Sequence, residues 1–210
     1  MFELIVQMLA TATFSISGVL AVAEKRVDLL AVVVLGTVTA VGGGTIRDTV
    51  LDVPVFWVED FHYVWVAAGA ALSAFTLRRL VTRTFRALLY VDALGAALFS
   101  IAAMDKVLSA GLSAPVAAVF GVATAIGGGL IRDVLAGRPT LLMTRELYAT
   151  PVLVGCALYG GLASAAPTTP WFTFVAMAAI FAMRVLVIRF DVKMPEALIM
   201  HNQPHTSRAP

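Results

Sequence analysis

Cysteine is nearly missing from this 210-residue chain: Cys156 is the only one, and it sits inside an apolar run. A disulfide within the chain and a thiolate metal site are both excluded. Charge is scarce too. Asp, Glu, Lys and Arg make up 13% of the residues, about half of the roughly 25% that a soluble domain carries. The chain therefore lacks the means to coat a water-facing surface. His201 and His205 have a helical spacing, but Pro204 lies between them and no carboxylate or cysteine is near, so no metal site is expected. No nucleophile–base set can be traced either. An enzyme is the least favoured class, and neither a bound cofactor nor a nucleic-acid partner is expected.

What is present is apolar: 60% of the residues, with a mean hydropathy of +0.92. Crossing about 30 Å of hydrocarbon takes roughly 20 apolar residues in a helix. Seven runs qualify, at Leu4–Ala23, Leu29–Ile46, Tyr63–Leu77, Ala87–Ala103, Ala114–Ile131, Leu147–Ala166 and Trp171–Ile188, the third being short. The first lacks a basic leader and starts Met1-Phe2-Glu3, so it reads as a retained helix and not as a signal peptide. The expected fold is an all-α membrane protein of about seven transmembrane helices.

Threading these spans puts thirteen basic residues on one side and only Arg47 and Lys106 on the other. The positive-inside rule then places the N-terminus outside and the C-terminus in the cytoplasm. Arg78, Arg79, Arg83 and Arg86 crowd one cytoplasmic connection. They read first as topology-setting charges and second as a site for anionic lipid. The tail from His201 to Pro210 is polar.

Residues 36–50 align without gaps on residues 121–135, with nine of fifteen positions identical. Both copies hold a glycine triplet (Gly42, Gly43, Gly44 and Gly127, Gly128, Gly129), followed by Arg47-Asp48 or Arg132-Asp133. The same offset pairs Pro54 with Pro139, Tyr63 with Tyr148, and Phe14-Ser15-Ile16 with Phe99-Ser100-Ile101. Three crossings separate the triplets, an odd number, so the copies enter the membrane from opposite sides. Two inverted three-helix repeats follow, over 1–86 and 87–168. A seventh helix over 169–192 and a polar tail over 193–210 have no counterpart.

Three glycines in a row disfavour a helix by about 0.8–1 kcal/mol each relative to alanine. One use is a break at membrane depth, where freed carbonyls line a cavity. Inverted repeats in transporters place their sites at such breaks. The other use is close helix packing. At 3.6 residues per turn, Thr39, Gly43 and Arg47 share a face, as do Thr124, Gly128 and Arg132. The Arg-Asp pairs read either as functional charges within the bilayer or as locks between helices. Further polar groups inside spans are Thr11, Thr13, Ser15, Ser17, Asp92 and Ser100. Those in the first span either bond back to carbonyls one turn earlier or line a wet path. Asp92 starts near the cytoplasmic end, where it could be solvated.

On Gly42-Gly43-Gly44-x-x-Arg47-Asp48, its second copy, and the three-plus-three-plus-one span pattern, the chain resembles the bacterial trimeric intracellular cation (TRIC) channels. These overlap a family described as probable glycine transporters. The resemblance covers all but the tail. It implies a bacterial inner-membrane homotrimer with one pore per subunit, bent by glycine breaks in the second and fifth spans and permeable to potassium or sodium. Gly42–Gly44, Gly127–Gly129, Thr39, Thr124, Ser15, Ser100 and Asp92 would then border the pore, while Arg47, Asp48, Arg132 and Asp133 would gate or brace it. The alternative is an alternating-access carrier for a small zwitterion such as glycine, and a third is a scaffold whose glycines only tighten contacts.

Overall fold

The computed structural model describes residues 2–77, 85–165 and 171–195. Among the described residues eight α-helices follow one another: α1 (Phe2–Ala21), α2 (Leu29–Val50), the one-turn α3 (Phe56–Glu59), α4 (His62–Thr76), α5 (Phe85–Ser109), α6 (Ala114–Leu135), α7 (Ala149–Ala165) and α8 (Trp171–Phe190). No β-strand occurs among the described residues. Five of these helices are long and apolar enough to cross a membrane, while α4 and α7 are shorter. Arg78, Arg79 and Arg83 lie outside the described residues, as do His201 and His205, and Arg86 is exposed.

The repeat seen in the sequence is a repeat in space. Helices α1, α2 and α4 pack on one another, and α5, α6 and α7 do the same. The two units meet through α1 against α5 and α2 against α6, and α8 lies on α5 and α7. Each unit turns its corner in the same way. Helix α2 ends in a left-handed residue at Asp52 (φ 54°) and α6 at Gly137 (φ 57°), the corresponding position. Just beyond, the amides of Val53 and Arg138 return to the carbonyls of Asp48 and Asp133, at 3.1 and 2.9 Å. These bonds close the helix ends.

The spans differ from the sequence reading in two respects. Helices α2 and α6 run past Ile46 and Ile131 to Val50 and Leu135, so both Arg-Asp pairs lie on helix. The expected breaks are absent: α2 and α6 are continuous across Gly42–Gly44 and Gly127–Gly129. The reason is contact between the two helices. A Cβ on Gly43 would collide with the carbonyl oxygen of Thr124 and stand 3.1 Å from the Gly128 nitrogen. A Cβ on Gly128 would stand 2.7 Å from the carbonyl oxygen of Thr39. Thr39 and Thr124 are themselves repeat partners, so the contact is reciprocal and the local two-fold axis passes between the two middle glycines. Here the missing side chains let two backbones touch, which is the packing use of glycine in lipid.

The outer glycines of each triplet serve other neighbours. Gly42 faces Ile131, and Gly127 faces both Gly43 and Ile46. Gly44 faces the Phe56 ring, whereas Gly129 faces the hydroxyl of Tyr148 and a carboxylate oxygen of Asp92. Near the same axis Phe14 and Phe99, another repeat pair, stack with centroids 5.5 Å apart, and both are buried.

Candidate functional site

The charged side chains buried inside this bundle gather at its two ends, one built around Arg47 and the other around Arg132. Each Arg-Asp pair makes the same two links. The Nε of Arg47 donates to Asp48 Oδ1 at 2.7 Å, and that of Arg132 to Asp133 Oδ1 at 2.9 Å. The second oxygen of each carboxylate accepts a backbone amide eight residues on, from Phe56 or Leu141, at 3.0 Å in both cases. The aspartate thus pins the start of the next segment, α3 in one repeat and a short 3-10 turn (Leu141–Met143) in the other. The arginine neutralises it. This shared pattern is the structural use of the pair, and burial of all four residues explains why both charges must be present.

Beyond these links the two ends diverge. At the Arg47 end, Asp48 also receives Lys106 from α5, at 2.9 Å. Tyr63 there donates its hydroxyl to Gln7 at 2.7 Å. At the Arg132 end the residue corresponding to Gln7 is Asp92, and the arrangement changes with it. The Nη1 of Arg132 reaches Asp92 Oδ1 at 2.5 Å and Ser17 Oγ at 3.0 Å, joining α6 to α5 and α1. Asp92, which the sequence leaves either in a wet path or solvated near the cytoplasmic end, is completely buried. Arg132 is as well, and it is among the largest side chains with no exposure at all.

Most of the remaining hydroxyls bond to backbone carbonyls. Thr11, Thr13 and Thr39 donate to carbonyls one turn earlier, Ser100 to Ala97, and Ser15 across to Ala67 of α4 at 2.6 Å. Thr124 is buried with its hydroxyl unpartnered. The glycine triplets, Thr39 and Thr124 are therefore drawn together at the α2–α6 crossing. Asp92 joins Arg132, and Ser15 and Ser100 pack at other helix contacts.

A cavity of about 180 Å³ opens at the Arg47 end between α1, α5 and α8, with Glu3, Gln7, Asp105, Lys106, Ser109 and Thr173 on its polar wall. Tyr159 of α7 donates its hydroxyl to Asp105. Glu3 and Asp105 have no ion-pair partner among the described residues, since the nearby Lys106 is engaged with Asp48.

Sequence reasoning missed the part played by α8. Arg184 counts there only as one more cytoplasmic charge, yet it is fully buried. Its guanidinium lies 4.7 Å from the Tyr148 ring centroid, and its Nη1 donates to the Leu147 carbonyl. The signal was available: Arg184 interrupts an apolar run that continues on both sides. The link between Gln7 and Tyr63 was also readable, because both residues and their counterparts Asp92 and Tyr148 keep the repeat offset.

A family model described as glycine transporter matches residues 4–79 and again residues 89–164. The two matches begin 85 residues apart, the spacing of the triplets. The UPF0126 inner membrane protein YadS of Escherichia coli K12 is 37% identical over 206 residues, covering 93% of this chain and 96% of that protein. A TRIC trimeric intracellular cation channel orthologue from Rhodobacter sphaeroides has a solved structure that superposes with a TM-score of 0.87. It is 34% identical, covering 91% of this chain and 99% of the other. A second structure, solved to explain conductance through TRIC cation channels, gives a TM-score of 0.80 at 31% identity, covering 94% and 98%. With both halves matched and the fold shared from end to end, this chain belongs to the glycine-transporter family of membrane proteins and has the fold of the bacterial TRIC channels.

Proposed function

We propose that the protein is a monovalent-cation channel, permeable to potassium, with one pathway in each subunit of a homotrimer in the bacterial inner membrane. The observation that carries this reading is the likeness to the Rhodobacter sphaeroides TRIC orthologue, close in both fold and sequence. The pathway starts in the cavity at the Arg47 end, where Glu3 and Asp105 supply the negative field that concentrates cations. It narrows at the Phe14–Phe99 pair and ends at the Arg132–Asp92 lock. In this conformation the lock closes it, because the Arg132–Asp92–Ser17 contact ties α6 to α5 and α1 and fills the space between them. Opening moves Arg132 away from Asp92 and Ser17.

Potassium efflux from vesicles containing the purified protein tests this directly. Asp92→Asn weakens the lock while keeping its shape, so efflux should rise several-fold over the unaltered protein. Unchanged or lower efflux from a stable, correctly assembled Asp92→Asn variant would place the gate elsewhere. Native mass in mild detergent should correspond to three chains.

The family description favours a second reading, an alternating-access carrier for glycine. That mechanism uses exposed amides at a helix break to receive the carboxylate. With α2 and α6 continuous, those amides are bonded within the helices. The channel reading keeps its acidic mouth and needs no broken helix.

The charge asymmetry supports an orientation with the Arg47 end outside and the Arg132 end in the cytoplasm. In a Cys156→Ser background, a cysteine at position 59 should react with an impermeant maleimide added to intact cells. One at position 83 should react only after the membrane is opened. The reverse pattern would invert the assignment.

A further inference from the structure

Buried polar atoms without a partner are unevenly spread in this protein. Of the seven such side-chain atoms among the described residues, six lie at the Arg132 end: Asp92 Oδ2, Arg132 Nη2, Tyr148 Oη, Thr140 Oγ1, and both Nε and Nη2 of Arg184. The corresponding polar groups at the Arg47 end are complete. Tyr63 has Gln7, and the two oxygens of Asp48 have Arg47, Lys106 and the Phe56 amide. The two ends share a scaffold, so the shortage at one of them is not a demand of the fold. It comes largely from three residues, Asp92 in place of glutamine, Thr140 in place of valine, and Arg184 supplied by the unrepeated α8.

Three of these side chains, Asp92, Arg132 and Tyr148, form one cluster. A Cβ on Gly129 would stand 2.9 Å from Tyr148 Oη, 3.2 Å from Asp92 Oδ1 and 3.5 Å from Arg132 Nη2, so three polar heads converge where this glycine has no side chain. Arg184 covers the ring of the same tyrosine. Buried charged groups left with unmet hydrogen bonds are costly, and the shortage here has a definite chemistry. Arg132 and Arg184 balance Asp92 and Asp133, so the site calls for a neutral occupant. Unmet guanidinium N–H groups outnumber the single unmet carboxylate oxygen, so the occupant must accept as well as donate. Buried water does both, making about three hydrogen bonds to groups of this kind.

We propose that the Arg132 end encloses ordered water, held by Asp92, Arg132, Tyr148 and Arg184, and that this water is part of the lock. Helix α8 then has a task that neither repeat performs: it closes the chamber with Arg184. The water also gives the lock a way to open. Arg132 and Asp92 each have a solvent partner waiting, so their separation exchanges hydrogen bonds and does not abandon them. The role in opening rests on the channel reading, whereas the presence of water does not.

X-ray footprinting of the full chain in lipid nanodiscs tests the proposal, because brief pulses make hydroxyl radicals from water in place. Tyr148 is 4% exposed and Phe14 1%. With enclosed water, Tyr148 is oxidised several-fold faster than Phe14. Equal protection of the two rings would overturn the proposal. Oxidation of Tyr148 together with its apolar neighbours Leu88 and Leu141 would also overturn it, since that pattern means opening to bulk solvent. A protein that passes no potassium but shows the selective Tyr148 signal would lose the channel reading and keep the water; one that conducts with a protected Tyr148 would do the opposite.

Discussion

Gly43→Ala and Gly128→Ala each lower the midpoint of thermal unfolding sharply, and by similar amounts. Inserting atoms into a filled interior costs about 1–3 kcal/mol, occasionally more. Here the obstacle is backbone, the Thr124 carbonyl for Gly43 and the Thr39 carbonyl for Gly128, so neither can swing aside. Relief requires α2 and α6 to separate, and a cost of about 3 kcal/mol or above is expected. The same substitution at Gly69 or Gly161 provides the contrast, because a Cβ at either meets nothing within 4 Å. There the gain in helix propensity, up to about 1 kcal/mol, should leave stability unchanged or slightly raised. Four alanines of one chemistry thus divide by sign. Equal, small effects at all four sites would mean that the middle glycines are not a contact.

Arg132→Gln is the second large effect, and its repeat partner Arg47→Gln is a much smaller one. Losing Arg132 leaves Asp92 and Asp133 buried without their cation, and the Leu141 amide on Asp133 is the bond that survives. Removing one member of a buried pair in this way costs about 3–5 kcal/mol. Losing Arg47 leaves Asp48 still bound to Lys106 and to the Phe56 amide. A cost nearer the lower end of about 1.5–3 kcal/mol is expected for a hydrogen bond to a charged group that keeps its other partners. Adding Asp92→Asn to Arg132→Gln should recover part of the loss, since the two residues act through one contact. Denaturation of the three variants in one detergent measures all of these terms. Equal damage from Arg47→Gln and Arg132→Gln would show that the two ends are energetically alike, against the asymmetry of their partners.

Much of this architecture can be read from the chain because membrane helices announce themselves through length and apolarity, and the doubled glycine motif fixes the inverted repeat. The Arg-Asp pairs were legible as buried charges, either functional or locking, for the same reason: a charge at membrane depth needs a partner. The glycine triplets were harder. Glycine weakens an isolated helix, which suggests a break, but the property that matters here is the absence of a Cβ opposite another backbone. That opposition is a contact between residues 85 positions apart, and no local pattern in α2 carries it. Asp92 stayed ambiguous for a related reason. Its place near the helix start allowed either solvent or a buried role, and its partner Arg132 lies forty residues away in sequence. Arg184 shows the limit of charge counting, since position along the chain sorted it by side and not by depth.

The central claim is that the fold passes cations. Recording from planar bilayers containing the purified protein in a potassium gradient tests it most directly. Discrete unitary currents reversing near the potassium equilibrium potential, and more frequent in Asp92→Asn, are the predicted result. Saturable glycine exchange without any unitary current, in protein whose assembly is intact, would contradict it.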